Sequence, residues 1–567
     1  MRSSSVVAFV IAGTVAASAH DAHAQQPIEG VSVNADGTVF GAQDFNRPSL
    51  SPDGRWVAFS SGADLAGGDQ NSQIDVFLRD RANHVTLVMS VATDGTQANA
   101  QCYQPSISAD GRFVAFTSYA NNLDPVDINN VADVYLHDRD PDGNGIFDEP
   151  GATTILLSKR WDGSASDDGS LEPAVAGDGS VVAFVSGSNL TPDADGMINL
   201  FLYDVAAETL QCITTGMDGQ GSGGDSHHPS LSADGNLVAF QSHSNRLVPH
   251  DTNGDQDVFV WNRESGVTRR MSVATDGTEA NDECVDAAIS ADGSTVVFTS
   301  EATNLVTPTT DGRHHVFIRA RGEQVTTLLT QLSDGTFANG HSLNPAVSGD
   351  GRFVAFDTTA NNLVERDDNH DTDVLLADRD AGTFETISAD CMGFTGSGHS
   401  TFPAISPDGR FIAFDSDAWN LADEQFGGDM IYLRDRTISW PMASATTYGD
   451  GWPGTLGIPA LTSSVPPQYG ATIDLTFDNS WGFWNVGFLL LGLQQTELPT
   501  AKDGTLLVTI ADIIPLALNP AGTIVQGAIP FDAALCGFEI DLQGIEVDPG
   551  ASKGVAFTAG LQLMIGR

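Results

Sequence analysis

The segment from Asp138 to Glu149 carries the most specific chemical motif in the sequence. Its aspartates alternate, Gly143 follows them, and Glu149 closes the pattern D-x-[DN]-x-[DN]-G-x5-E. This spacing is typical of calcium loops, because alternating carboxylates turn their oxygens to one side and the final glutamate adds two more. An acidic turn without metal is the alternative. The predicted calcium ligands are Asp138, Asp140, Asp142, Asn144 and Glu149.

Two further loops place oxygen-bearing side chains at alternate positions. Ligand sets made only of oxygen favour calcium over zinc or copper. The alternative is that these residues stabilise turns and that the last aspartate only begins a strand. The predicted ligands are Asp251, Asn253, Asp255 and Asp257 in one loop and Asp367, Asn369, Asp371 and Asp373 in the other.

The charge balance excludes several classes of partner. The 567 residues include 74 acidic and 25 basic side chains, which gives a formal net charge of −49. Such a field repels nucleic-acid phosphates and anionic lipids, so we expect neither nucleic acid nor a membrane surface as a partner. It favours divalent cations, basic partners or solubility in a salty medium. The sequence does not indicate an oligomeric state.

A repeated segment organises most of the chain. The sequence PSISADGRFVAF at 105–116 recurs seven times with small changes, at intervals of 56 to 68 residues. Each copy is predicted to contain four strands, with the Asp-Gly turn between the first two. Seven four-stranded antiparallel units predict a seven-bladed β-propeller over residues 28–437. The Asp-Gly turns begin at Asp53, Asp110, Asp178, Asp234, Asp292, Asp350 and Asp408.

The start of the repeat region predicts how the ring closes. The segment GVSVNADG at 30–37 is similar to MSVATDG at 89–95, which ends one repeat. The N-terminal strand is therefore predicted to complete the seventh blade. Residues 437–442 are an alternative for that position.

The pattern Pro-x-[Ile/Leu/Val]-Ser-x-Asp-Gly-Arg-x-[Val/Ile]-Ala-Phe resembles the TolB-like, WD-repeat-like propeller family. The resemblance covers about three quarters of the chain and implies the fold more than any function. TolB itself is a periplasmic protein with six blades behind a different N-terminal domain. This sequence has seven copies of the repeat and no such preceding domain. The resemblance therefore does not imply a role in the Tol–Pal system.

Residues next to the predicted inner strands are candidates for ligand binding. We expect them to line, near the axis, the face that carries the long loops, since binding surfaces often use loops on a rigid scaffold. A mixed set of histidine, tyrosine and polar side chains suits a peptide or a sugar. Unconstrained drift of repeat loops produces the same variety and is the alternative. The candidates are Arg47, Tyr103, Gln104, Glu172, His227, His228, Asp286, Asn344, His399 and Phe402. Of these, we predict that Arg47, Tyr103, Gln104, His227, His228 and His399 bind the ligand.

The sequence lacks the common catalytic motifs. It contains no G-x-S-x-G elbow, no H-E-x-x-H and no P-loop. We therefore predict a non-catalytic propeller that binds a protein or polysaccharide partner, with loops stabilised by calcium. The alternative is a polysaccharide lyase or glycosidase that uses the long-loop face.

The two ends of the chain have other compositions. Residues 1–24 have a positive start, an apolar run and a small-x-small cleavage site, as in a signal peptide. We expect export to the periplasm or the extracellular medium, with no membrane span in the rest. Residues 443–567 alternate apolar and polar residues and predict a small β-sandwich-like domain, which resembles a C-terminal module of secreted bacterial proteins. Five cysteines without regular spacing allow one disulfide or none.

Overall fold

The computed structural model describes most of the chain. It covers residues 8–10, 28–35, 41, 47–67, 71–390, 393–421 and 429–438. It also covers residues 444–564, apart from 454, 457, 469–471, 482, 484, 500–504, 519, 521–522, 529–538 and 552–554. Most of the predicted signal peptide (residues 1–7 and 11–24) and most of the alternative closing segment (439–442) lie outside this range. In the described part, no helix has the length and apolarity that a membrane crossing requires.

Seven antiparallel sheets of four strands follow one another along the chain, and they are the blades of a β-propeller. In blades one to six the spatial order of the strands is their order in the sequence. The first three blades contain β3 (Ser49–Leu50), β4 (Trp56–Ser61), β5 (Asp75–Asp80) and β6 (Val85–Val88); β7 (Cys102–Ile107), β8 (Phe113–Ser118), β9 (Asp133–Asp138) and β10 (Thr153–Leu156); and β11 (Ser170–Val175), β12 (Val181–Ser186), β13 (Asn199–Asp204) and β14 (Thr209–Cys212).

The next three blades repeat this arrangement. They contain β15 (Ser226–Leu231), β16 (Leu237–Ser242), β17 (Asp257–Asn262) and β18 (Val267–Arg270); β19 (Cys284–Ile289), β20 (Thr295–Ser300), β21 (His315–Ala320) and β22 (Val325–Leu328); and β23 (Ser342–Val347), β24 (Phe353–Thr358), β25 (Asp373–Asp378) and β26 (Thr383–Thr386).

The seventh blade joins the two ends of the repeat region. Its first three strands are β27 (Ser400–Ile405), β28 (Phe411–Ser416) and β29 (Met430–Asp435), and its outer strand is β2 (Ile28–Gly30). Ile28 pairs with Arg434 in antiparallel register. The Val31 N–H then donates to the Ile431 carbonyl at 2.7 Å. The prediction that the N-terminal strand closes the ring is confirmed.

The Asp-Gly turn has a physical role in each blade, as blade two shows. The Ser108 hydroxyl and the Arg112 N–H both donate to Oδ1 of Asp110, at 2.6 and 2.9 Å. Gly111 has a φ of 79°, and a Cβ there would lie 2.6 Å from the Trp56 side chain of the preceding blade. Only glycine suits both this backbone and this close approach. The turn is therefore part of the packing between blades.

The blade cores consist of the second and third strands. Nearly all residues of these strands are buried, and aromatic pairs such as Phe116 and Tyr135 stack with centroids 5.8 Å apart. Cys102, Cys212 and Cys284 are buried and free, where cysteine acts as a small apolar residue.

The C-terminal region folds as two sheets. One sheet has the order β1-β35-β32-β31 and the other the order β30-β37-β36-β33-β34. Apolar side chains of both sheets, including Phe477 and Leu542, belong to one buried cluster, so the predicted β-sandwich-like fold is confirmed. The strands are β1 (Ala8–Val10), β30 (Ser444–Tyr448), β31 (Leu461–Ser463), β32 (Thr472–Phe477), β33 (Asn485–Pro499), β34 (Thr505–Leu518), β35 (Thr523–Ala528), β36 (Glu539–Val547) and β37 (Val555–Met564).

Candidate functional site at the propeller axis

One residue from each blade lines a cavity at the propeller axis. The cavity has a volume of about 320 Å³, and prolines follow most of the seven residues around it. These residues differ from blade to blade, although their places in the repeat are equivalent. The axial ring consists of Arg47, Gln104, Glu172, His228, Asp286, Asn344 and Phe402.

A β-bulge turns these side chains to the axis. In blade two the register with β8 shifts between Tyr103 and Ser106, and the same shift occurs in blades three to seven. The ring residues of these six blades have φ between 47° and 56°. Such φ values are rare for residues other than glycine and cost about 1–3 kcal/mol each. In these six blades the inner strand therefore has a strained backbone at the bulge, and this directs one side chain per blade to the axis.

Hydrogen bonds connect the ring from blade to blade. The Glu172 N–H donates to Oε1 of Gln104 at 3.1 Å, and the His228 N–H donates to Oε2 of Glu172 at 2.7 Å. The Phe402 N–H donates to Oδ2 of Asp357 at 3.1 Å, an oxygen supplied by a second strand. Some of the polar side chains therefore accept hydrogen bonds from backbone N–H groups that the bulges leave without a partner in the sheet.

His228 lies between two carboxylates. Its Nε2 is 3.6 Å from Oε1 of Glu172, and its Nδ1 is 3.7 Å from Oδ1 of Asp286. Burial lowers the pKa of His228 below its usual value. Burial would by itself raise the pKa of Glu172, but its contacts with His227 and His228 lower it. Burial thus favours the neutral form of the His228 imidazole, while the carboxylates of Glu172 and Asp286 favour its charged form.

Arg47 supplies the permanent positive charge of the ring. Its Nη2 lies 3.4 Å from Oδ1 of Asn344, and its guanidinium lies 4.9 Å from the centre of the Phe402 ring. Arg47 therefore reaches from blade one to blades six and seven. Two acidic side chains, Glu172 and Asp286, line the same cavity, so acidic groups outnumber this arginine.

Asp357 is a site residue that the sequence reasoning missed. It is 2% exposed on β24, and burial raises its pKa to about 6. Asn344 Nδ2 donates to its Oδ2 at 2.9 Å. Blade seven also carries an aspartate at this place, Asp415, whereas the other blades carry a residue without charge, as at Thr117 and Gln241. An aspartate inside the buried run FVAFDT was the signal that pointed to it.

The predicted ligand-binding residues separate into two groups. Arg47, Gln104 and His228 belong to the ring. His227 and Tyr103 precede ring residues, and the Glu172 carboxylate, 3.8 Å from Nδ1 of His227, raises the pKa of that histidine. The sequence predicts that these residues lie just before the inner strands, but all except Arg47 and His399 lie within them.

His399 does not join the ring. Its side chain is 61% exposed, and its Nε2 lies 3.6 Å from Oδ1 of Asp371. The Thr372 N–H donates to its Nδ1 at 3.1 Å. His399 therefore lies with the acidic loop of blade six rather than at the axis.

Tyr103 lies next to the axial ring. It packs edge-on against the exposed Tyr119, with ring centroids 6.5 Å apart.

Asp138, a predicted calcium ligand, forms a two-point ion pair with Arg112. Arg112 Nε and Nη2 each donate to one of its oxygens at 2.7 Å. The same two-point ion pair recurs in three other blades. Because both oxygens are engaged, the geometry argues against Asp138 as a calcium ligand. The recurring pairs are Arg55–Asp80, Arg352–Asp378 and Arg410–Asp435.

The remainder of that loop keeps its acidic oxygens together. Asn144 Nδ2 donates to Oδ2 of Asp142 at 3.0 Å and to Oε2 of Glu149 at 3.1 Å. Asp140 accepts the N–H groups of Asn144 and Gly145 at 3.0 and 2.8 Å. The loop brings Asp142 and Glu149 to one amide group, which occupies the position that a cation would take between them.

In blade four an arginine lies among the predicted calcium ligands. Arg270 Nη1 lies 3.1 Å from Oδ2 of Asp257, 3.3 Å from Oδ1 of Asp251 and 2.5 Å from Oε1 of Glu279. The amide of Asn253 donates to the same Asp257 oxygen, and its own Oδ1 accepts the Asp255 N–H at 3.2 Å. The guanidinium neutralises the carboxylates, so the geometry argues against calcium at this loop.

The equivalent loop in blade six has no arginine at that place. Thr386 ends β26 where Arg270 ends β18. Burial raises the pKa of Asp373 to about 7, and in the described structure Oδ1 of Asp367 is buried without a hydrogen-bond partner. Asn369 donates to Asp373 at 2.9 Å and accepts the Asp371 N–H at 3.0 Å. This loop therefore lacks, at the place of Arg270, the positive charge that neutralises the carboxylates of blade four.

Comparison with known proteins agrees with the fold. No protein-family model and no curated protein matches the sequence. Among solved structures the chain resembles a putative TolB from Agrobacterium tumefaciens, with 15% identity over 62% of this chain and 94% of that one and a TM-score of 0.33. It resembles the RRP9 WD40 repeats, with 9% identity, a TM-score of 0.36, and coverage of 72% of this chain and 99% of that one. It also resembles the acylaminoacyl peptidase of Pyrococcus horikoshii, with 8% identity, a TM-score of 0.34, and coverage of 66% of this chain and 49% of that one.

These likenesses concern the fold alone. The repeated four-stranded sheets agree with the predicted TolB-like, WD-repeat-like propeller fold. The seven four-stranded blades establish the propeller without them. The function therefore has to be argued from the axial ring and the acidic loops.

Proposed function

We propose that the protein is an exported, non-catalytic β-propeller that binds a protein or polysaccharide partner at its axial cavity. The observation that supports this most is the axial ring itself, in which six strained bulges aim six different side chains at one space of about 320 Å³. Bulges next to functional sites often re-aim side chains in this way. A purely structural bulge would not require histidine, glutamate and phenylalanine at equivalent places.

The charge of the cavity restricts the part of the partner that enters it. Glu172 and Asp286 line the cavity with a single arginine, the buried Asp357 lies behind them, and the whole chain carries −49. A basic side chain of a protein, or sugar hydroxyls that donate to carboxylates, complements this lining. Anionic groups, including nucleic-acid phosphates, do not.

One observation favours an enzyme as the second candidate. Asp357 has a pKa of about 6 through burial, and the nearby Asp286 carboxylate contributes to that increase. A carboxyl group whose environment raises its pKa is the usual general acid of glycosidases, which also use a second carboxyl group. In this alternative Asp357 donates a proton and Asp286 is the second carboxyl group. We rank it second because both groups also hold backbone or side-chain hydrogen bonds within the ring.

Calcium is part of the proposal at two loops. Asp367, Asp371 and Asp373 would hold the ion in blade six, and Asp140, Asp142 and Glu149 in blade two, because these are hard oxygen donors. When bound, calcium supplies the positive charge that Arg270 supplies in blade four. It would stabilise the folded loops without taking part in a reaction.

The experiment for this proposal is a binding screen followed by substitution at the axis. Purified protein is applied to peptide and glycan arrays, and the best ligand is titrated calorimetrically. His228→Ala and Glu172→Gln test the ring, and His399→Ala is the control because it is exposed outside the ring. Turnover of the same ligand that Asp357→Asn abolishes, while the melting temperature is unchanged, would establish the enzyme instead.

A further inference from the structure

Three metal-binding side chains converge where blades five and six meet. Glu301 directly follows β20, His314 directly precedes β21, and His341 directly precedes β23. Nε2 of His314 lies 3.2 Å from Oε1 of Glu301, and the two imidazole rings lie 5.4 Å apart. One donor atom from each of the three lies within 4.8 Å of the others. We propose that Glu301, His314 and His341 form a zinc-binding site that connects blade five to blade six.

The backbone places the three residues firmly. Ser300 pairs with His315 across the hairpin, which puts Glu301 and His314 side by side. The Ser342 N–H donates to the His314 carbonyl at 2.9 Å, and the Thr359 N–H donates to the His341 carbonyl at 2.9 Å. Each ligand therefore lies at the end of a paired strand, and sites on rigid elements hold their geometry better than sites on loops.

The available ring nitrogens fit a metal between the two blades. Nδ1 of His314 is buried without a hydrogen-bond partner in the described structure, so a metal reaches this ring through the Nε2 that faces Glu301. Nδ1 of His341 accepts the His314 N–H over a long 3.3 Å. The His341 ring is exposed, so it can exchange this weak contact for coordination by rotating.

The donor types select zinc rather than calcium. Two imidazoles and one carboxylate are a recurring zinc set, with the remaining position open to water. Calcium prefers the oxygen-only loops described above. The neighbouring His315 does not take part, because it is buried with Nδ1 2.9 Å from Oγ1 of Thr330 and Nε2 2.9 Å from Oδ1 of Asp311.

The test is calorimetric titration of the metal-stripped full chain with zinc chloride, in excess calcium to occupy acidic sites. We expect one zinc per chain, and an affinity that falls at least about tenfold in His314→Ala, His341→Ala and Glu301→Gln. His399→Ala is the matched control, because its imidazole has the same place one blade further on and only one carboxylate beside it at 3.6 Å. Glu283→Gln, at an exposed glutamate, controls for the loss of one charge.

A second measurement separates zinc binding from folding. Zinc should raise the melting temperature of the wild type and of His399→Ala, and should leave that of His341→Ala unchanged. Since His341 is exposed, this variant should melt like the wild type when no zinc is present. Any of three results would overturn the proposed zinc site. These are unchanged zinc affinity in both histidine variants, competition of calcium with zinc, and loss of zinc binding in His399→Ala.

Discussion

Arg270 Nη1 lies 3.1 Å from Oδ2 of Asp257, in the loop where the sequence alone predicts calcium. The side chain of Arg270 is 10% exposed and that of Asp257 is 1% exposed, so solvent screens this pair little. Blade six has Asp373 at the place of Asp257 but Thr386 at the place of Arg270. Two loops of nearly the same sequence thus differ in whether the chain supplies its own cation.

Removing the internal cation should therefore destabilise blade four and make it sensitive to calcium. In Arg270→Ala, Asp251, Asp257 and Glu279 lose their shared partner, and breaking a buried ion pair costs about 3–5 kcal/mol. Denaturant unfolding with and without calcium measures this. Calcium should restore part of the loss in the variant, by RT ln(1 + [Ca]/Kd). A variant as stable as the wild type in chelator would show that Arg270 has no such role.

The Asp373 carboxyl should make stability depend on pH. Its folded pKa of about 7 exceeds that of an unfolded aspartate. Between about pH 4 and 7 the folded state therefore binds more protons than the unfolded state, and stability falls as pH rises through this window, by about 1 kcal/mol per pH unit.

The variant Asp373→Asn should lose that slope and be more stable than the wild type at pH 7 in chelator. The measurement is the free energy of unfolding at a series of pH values. Calcium should remove the difference, because it neutralises the wild-type carboxylate. Parallel pH profiles of the two proteins in chelator would contradict the account of this loop.

Asp138 and Asp142 should respond differently to the same substitution. Asp138→Asn breaks the two-point ion pair with Arg112 and should cost about 1 kcal/mol, equally with and without calcium, because the pair is partly exposed. Asp142→Asn should leave stability in chelator nearly unchanged and reduce the increment that calcium adds. Melting curves of both variants in calcium and in chelator distinguish the two roles. A calcium-dependent effect of Asp138→Asn would restore it as a ligand.

The repeat made the fold predictable from the sequence. Seven Asp-Gly turns, such as that of Asp110, are local signals whose geometry is decided by the two or three residues beside them. The closing strand was predictable because Ser32 stands where Ser90 stands in a complete blade, and both hydroxyls accept a backbone N–H of the strand beside them.

The site was less predictable because its partners are distant in the sequence. The loop around Asp257 has a calcium-like pattern, and only the fold brings Arg270 into it. Asp138 likewise pairs with Arg112 across a hairpin. The axial residues can be found from their repeat position, but the bulge that directs them to the axis depends on pairing between strands. Asp357 contacts the ring from a second strand, through Asn344 and Phe402.

The central claim is that the axial ring binds the partner, and ligand titration of ring variants tests it most directly. The ligand selected on the arrays is titrated against the wild type, His228→Ala, His399→Ala and Phe483→Ala, the last removing an exposed aromatic side chain of the C-terminal sandwich. We predict that His228→Ala lowers the affinity at least about tenfold, as expected for a residue at the centre of an interface. Its melting temperature should equal that of the wild type. The affinities of His399→Ala and Phe483→Ala should not change. Affinity that is unaffected by His228→Ala and lost in Phe483→Ala would contradict the claim and place recognition on the sandwich.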